Sequence, residues 1–204
     1  IVVCENADEW KAALVEAVRV ACDAGGLTAV IVPWKNDAKR LAKTLDGVTV
    51  LGEGDSLPGL VVDCYGATAV MQAHSVGMHV CRQEICDALV EVMGERIKNV
   101  YYKSETTLPF KAELGQENGF IYGGTTDNVA VENGLKFYVD WLRGQKTGFF
   151  VDQRENRSLL EHYAKGRKVL NMFCYTGGFS VYAMRGGAEL VHSVDSSAKA
   201  IELT

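Results

Sequence analysis

The sequence predicts an α/β protein, and three observations carry that prediction. Residues 168–195 read strand, glycine turn, helix, strand, which is a βαβ unit. The chain changes texture twice, from helical periodicity before Gly47, to short Gly- and Pro-broken strands after Val48, to helix and buried strand after Gly144. The composition, 48% hydrophobic and 23% charged over 204 residues, supplies the apolar mass of a globular core. It excludes collagen, a disordered tail and a small disulfide scaffold.

The elements follow in order. Residues 8–24 place Trp10, Leu14, Ala17, Val18, Ala21 and Cys22 on one helical stripe, stopped by Gly25-Gly26. Thr28–Val32 is a β-branched strand closed by Pro33, and Asn36 or Asp37 caps a short helix bearing Leu41 and Leu45. From Val48 the pattern gives strands, with Gly66 turning LVVDCY back into ATAVMQAH. One helix is expected over 78–93, with Met78, Cys81, Ile85, Leu89 and Val92 on a face, and NVYYKS reads as strand again. Asn133-Gly134, between two alternating runs, is the strongest hairpin signal in the chain. After Gly144, RENRSLLEHYAK is helical, KVLNMF suits a buried parallel strand, FSVYAMRGG is a helix and AELVHSVD a second strand. Ser196 and Ser197 stand where they can cap the last helix, AKAIEL.

Charge narrows the partner classes. With 21 basic and 26 acidic residues the net charge is −5, so no global basic field steers a polyanion. Residues 136–168 run the other way: Lys136, Arg143, Lys146, Arg154, Arg157, Lys165, Arg167 and Lys168 stand against four acids. A solvated helix end explains Lys165–Lys168, and a phosphate-binding surface is the sharper reading of the stretch. No apolar run approaches the roughly 18 residues of a membrane span, and no secretory leader is visible. The six scattered cysteines form no CxxC pair, so neither a zinc site nor a disulfide framework is expected. These features together predict a reduced, cytoplasmic protein without metal or membrane.

The chemistry is expected at the turn after the first βαβ strand. Gly177 and Gly178 let the backbone approach a ligand, and the helix that follows aims its N-terminal amides there. Asp195, at the end of the second strand, can accept both hydroxyls of a ribose. A glycine turn with a strand-terminal acid points to an adenosine-containing cofactor, while a plain tight βα turn is the bland alternative. The turn reads TGGFSV, so the dinucleotide GxGxxG and the GK[ST] phosphate loop are both missing. S-adenosylmethionine is the better choice, and a nicotinamide dehydrogenase fails on the glycine pattern.

The segment GQKTGFFVDQRENR at 144–157, followed by VLNMFCYTGGFSVYAMRGGAELVHSVDSS at 169–197, resembles the large-subunit ribosomal RNA methyltransferases of the I/K type. The resemblance extends upstream through GEGDSLPGLVVDCYG at 52–66, QAHSVGM at 72–78 and the KSETTLP stretch at 103–109. It implies a central α+β domain at 48–142 and a Rossmann-like class I methyltransferase domain from 143, truncated after its second strand. Residues 1–47 form an α/β segment that does not look like the family's usual N-terminal RNA-binding domain. The chain starts at Ile1 without Met and stops at Thr204 in a helix, so a fragment is expected.

Carried onto this chain, the resemblance implies S-adenosylmethionine contacts from Asn171, Phe173, Tyr175, Gly177, Gly178, Asp195 and Ser196, with Thr147, Phe149 and Gln153 from the upstream segment. Lys146, Arg154 and Arg157 are its substrate-contact candidates. The implied partner is large-subunit ribosomal RNA, methylated on a base, cytosine C5 being the best guess; a homodimer is the oligomeric option. That chemistry needs a cysteine to add to pyrimidine C6. Cys174 lies in the cofactor turn and is expected to face the methionine end of the cofactor, so no catalytic residue is assigned. The alternative is a non-catalytic RNA-binding module with a vestigial cofactor site, contacting RNA through Arg154, Arg157 and Lys165–Lys168.

Overall fold

The computed structural model describes residues 50–51, 57–108, 114–115, 117–124 and 128–204. The helix expected at 8–24, the strand at 28–32 and the helix after Asn36 lie outside the described residues. The chain divides into two compact units at Gly148/Phe149. The sequence reading put the second domain's start at residue 143. Within the first unit, Thr147 is fastened to Asp63 and Tyr65, which carries the 143–148 segment with that unit.

The first unit is built on a five-stranded mixed sheet in the order β1 (Val50–Leu51), β2 (Leu60–Tyr65), β3 (Thr68–Ala73), β4 (Asn99–Tyr102), β5 (Gly119–Tyr122). All pairs are antiparallel except β3 and β4. The parallel pair needs a crossover, supplied by helices α1 (Val76–Val80) and α2 (Arg82–Met93). The single helix expected over 78–93 is two. Ser75 caps the first, its Oγ accepting from the Met78 amide at 3.3 Å, and the chain breaks at Cys81 before α2 begins. β5 was not expected: GFIY is short and shows no alternation, although Gly123-Gly124 follows it.

Strand alternation sorts this sheet into two covered faces. Leu60, Val62, Cys64, Ala69, Met71, Val100 and Tyr102 meet Ile85, Cys86 and Leu89 of α2 in the apolar core. The opposite face carries Asp63, Tyr65, Thr68, Gln72 and Asn99, all buried. Trp141 covers it by stacking on Tyr65, ring centroids 5.9 Å apart. The KSETTLP stretch finishes β3: Ser104 Oγ accepts the Ala73 amide at 2.7 Å, and Thr107 Oγ1 donates to the Ala73 carbonyl at 2.6 Å.

The Asn133-Gly134 hairpin forms as expected from β6 (Val129–Glu132) and β7 (Leu135–Tyr138). Both turn residues are left-handed, φ 49° and 78°, which is the twist a two-residue hairpin requires.

The second unit runs α3 (Arg154–Tyr163), β8 (Lys168–Met172), α4 (Gly178–Arg185), β9 (Leu190–Val194), α5 (Ala198–Leu203). β8 and β9 pair in parallel, Lys168 opposite Leu190 through Met172 opposite Val194. This is the βαβ unit expected from the sequence.

Candidate functional site

The β8–α4 turn, Phe173–Gly178, is built on alternating left-handed residues. Phe173, Tyr175 and Gly177 have φ of 57°, 49° and 77°. For a non-glycine residue each such conformation costs on the order of 1 kcal/mol, so it persists only when its surroundings hold it. Here the hold is explicit. The Cys174 amide donates to the Val194 carbonyl at 3.0 Å, the Gly177 amide to the Cys174 carbonyl at 2.9 Å, and the Thr204 hydroxyl to the Tyr175 carbonyl at 3.1 Å. Gly177 is also the N-cap of α4, and a Cβ there would stand 2.7 Å from Thr204 Cγ2. Only glycine fits there without displacing the Thr204 side chain.

Asp195 closes this turn. Its Oδ2 accepts the Tyr175 amide and its Oδ1 the Ser197 amide, both at 2.9 Å. The amides of Ser197 and Tyr175 hold its carboxyl below the usual aspartate range. The carboxylate is therefore ionised at neutral pH, with lone pairs on each oxygen beyond those the amides occupy. Ser197, whose Oγ accepts the Ala200 amide, caps α5; Ser196 beside it is exposed.

The 149–157 segment converges on the same turn. Phe150 meets Tyr175 edge-on, centroids 5.3 Å apart. Phe149 lies under the Arg157 guanidinium, 4.5 Å from ring centroid to Cζ, and a Cβ on Gly178 would touch both Phe149 and Arg157. Arg157 Nη1 donates to the Phe150 carbonyl at 2.9 Å, while Phe179 and Tyr182 flank the guanidinium.

Two expectations change here. Arg157, 2% exposed, and Arg154, 5% exposed, do not offer a surface to phosphate. A basic residue is usually read as solvated, and nothing local in the sequence encodes the aromatic box that holds Arg157. Asn171 faces α4: its amide donates to Ser180 Oγ at 2.9 Å, and Ser180 bonds Ser193 at 2.6 Å, so it ties β8, α4 and β9 together.

The other candidates are placed as follows. Phe173 is 87% exposed at the tip of the turn. Gln153 precedes α3, donating to Asp152 and accepting from Asn156. Lys146, exposed and left-handed at φ 47°, and Thr147, buried on Asp63 and Tyr65, belong to the first unit. Cys174 is buried, and burial pushes its thiol above the usual range. Thr204 and the Ser197 amide were missed, because backbone donors and a lone threonine hydroxyl carry no sequence signal. Among the described residues no group of three His, Cys, Asp or Glu could hold a metal, and no helix is long and apolar enough to cross a membrane.

A parallel βαβ unit with a glycine at the helix N-terminus and an ionised strand-end aspartate is the arrangement on which Rossmann-like folds bind nucleoside cofactors. The model of the S-adenosylmethionine-dependent methyltransferases matches residues 122–202. Ribosomal RNA large subunit methyltransferase I of Tolumonas auensis is 44% identical over 157 residues, 76% of this chain and 39% of that protein. A candidate S-adenosylmethionine-dependent methyltransferase from Streptococcus mutans superposes over all of this chain and 48% of its own, with TM-score 0.75 and 27% identity. A second solved structure with the same overlap, of a candidate methyltransferase, is complexed with S-adenosylhomocysteine. Residues 122–202 thus match the S-adenosylmethionine-dependent methyltransferase family, and about three-quarters of the chain is similar to ribosomal RNA large subunit methyltransferases I. The chain spans about two-fifths of the length of the curated relatives it matches.

Proposed function

We propose that this chain binds S-adenosylmethionine at the Phe173–Gly178 turn and Asp195, and serves methyl transfer to a base of large-subunit ribosomal RNA in the cytoplasm, at cytosine C5. The observation that carries the reading is the meeting of the left-handed turn, the α4 N-terminus and the ionised Asp195. The residues present fit the cofactor: Asp195 accepts ribose hydroxyls, the backbone around Gly177 and Gly178 leaves room for the amino-acid end, and the exposed Phe173 ring offers an apolar face. When bound, S-adenosylmethionine supplies an electrophilic methyl group on a sulfonium.

The protein's own part is positioning. The Tyr175 and Ser197 amides orient the Asp195 carboxylate and keep it charged, and Arg157 fixes the Phe149-Phe150 segment beside the turn. Methylation at C5 needs a thiolate; Cys174, buried and with its thiol pushed up, does not supply it, so another residue does. The alternative of a purely RNA-binding module with a vestigial site is disfavoured, since two of its contact residues, Arg154 and Arg157, are buried.

Titration calorimetry with S-adenosylmethionine tests the reading. One-site binding is expected, weakened at least about tenfold by Asp195→Asn, because charge-assisted hydrogen bonds to the ribose are lost. Absence of binding, or binding indifferent to that substitution, contradicts it.

A further inference from the structure

The hairpin ahead of the cofactor unit has a face that the cofactor reading leaves unused. In β6 and β7, Val131 lies opposite Lys136 and Val129 opposite Tyr138, so these four side chains share one side of the ribbon. The other side, with Ala130, Glu132 and Phe137, is buried. The shared side is open: Tyr138 is 55% exposed and Val131 49%. Leu142, in the turn that follows, is 44% exposed.

Charge on this surface has one sign. Over residues 128–148 the acids are Glu132, which is buried, and Asp140, which is half-buried and accepts the Arg143 amide through Oδ1 at 3.0 Å. The exposed charged side chains are Lys136, Arg143 and Lys146. In a chain of net charge −5, this stretch carries three exposed cations: Lys136 on the same side of the ribbon as Tyr138, and Arg143 and Lys146 in the turn that follows. The segment is also anchored: Lys103 Nζ donates to the Gly144 carbonyl at 2.6 Å, Trp141 stacks on Tyr65, and Thr147 is held by Asp63. An exposed aromatic with cations on the same anchored segment is what single-stranded nucleic acid uses, bases stacking on the ring and phosphates meeting the cations.

We propose that the outer face of the β6–β7 hairpin and the 142–146 turn form a single-stranded RNA contact surface, with Tyr138 as the stacking ring and Lys136, Arg143 and Lys146 as phosphate contacts. The proposal rests on the RNA-methyltransferase reading and adds to it where the first unit touches substrate.

Fluorescence anisotropy tests it, using this chain and a labelled mixed-sequence single-stranded RNA of about 12 nucleotides. Tyr138→Ala is expected to weaken binding about tenfold and Tyr138→Phe to restore it. Lys136→Gln should lower the slope of log affinity against log salt by about 0.7. Tyr122→Ala, at an exposed tyrosine elsewhere in the same unit, should change nothing. Thermal melts confirm that each variant folds. If the chain does not bind the RNA, or Tyr138→Ala binds it as tightly as the parent, the proposal is overturned. So it is if sedimentation shows a dimer that Tyr138→Ala abolishes, which would give the face to a second copy. Calorimetry with S-adenosylmethionine on the same samples separates the two readings: retained cofactor binding with unaltered RNA binding removes only this surface, whereas absent cofactor binding removes the methyltransferase reading itself.

Discussion

The two sheets differ in how they are covered. In the first unit β3 and β4 are buried at every position, with α2 on one face and Trp141 on the other. In the second unit β8 and β9 alternate between half-buried and exposed, and Leu170, Met172, Leu190 and Val194 line an open face. The first sheet is stabilised by packing, each large buried side chain contributing roughly 2 kcal/mol. The second carries left-handed backbone in its turn and holds it with a handful of directed bonds. Left-handed non-glycine residues occur in both units, Asn128, Asn133 and Lys146 in the first and Phe173 and Tyr175 in the second, where they stand beside the ionised Asp195.

The largest expected effect breaks the second unit alone. Arg157→Ala removes a buried cation from Phe149 and from the Phe150 carbonyl, and should cost about 3 kcal/mol. Hydrogen exchange should then show β8 and α4 amides opening while β3 amides stay protected; equal loss in both units would mean that the two are one cooperative block.

Thr147→Val should act on the first unit instead, by about 2 kcal/mol, because it removes the donor to buried Asp63. Urea denaturation followed by Trp fluorescence reads it, and Thr147→Ser should recover most of the loss.

Gly177→Ala comes next. Positive φ and the Thr204 contact predict a cost of about 1–2 kcal/mol, with cofactor affinity falling further than stability alone explains. Calorimetry alongside a thermal melt separates the two losses.

How much of this was legible varies by position. Asn133-Gly134 and Gly177-Gly178 announce their turns, since few residues adopt positive φ without a penalty. Phe173 and Tyr175 take the same conformation without any such code, because neighbours such as Asp195 impose it from 20 residues away. The Thr147–Asp63 bond spans 84 residues, and no periodicity reaches that far. Arg157 misled for a related reason: a charged residue on a helix reads as solvated until three aromatic rings are seen around it.

The smallest effect is the Glu161–Arg185 pair, bidentate at 2.6 Å and linking α3 to α4. Arg185 lowers the Glu161 carboxyl, so the pair's contribution is present above the ordinary glutamate range and fades as pH falls through the lowered value. Both side chains are partly exposed, so Glu161→Gln should cost about 0.5 kcal/mol at pH 7 and nothing under strongly acidic conditions. A pH series of denaturation midpoints reads it.

The central claim is that the cofactor is held by the second unit's strained turn and its aspartate. Titrating isotope-labelled protein with S-adenosylhomocysteine while recording amide NMR shifts tests it directly. Shifts concentrated at Phe173–Gly178 and residues 195–197, with β2, β3 and β4 unmoved, are the predicted result; shifts centred on the first unit, or none, would contradict it.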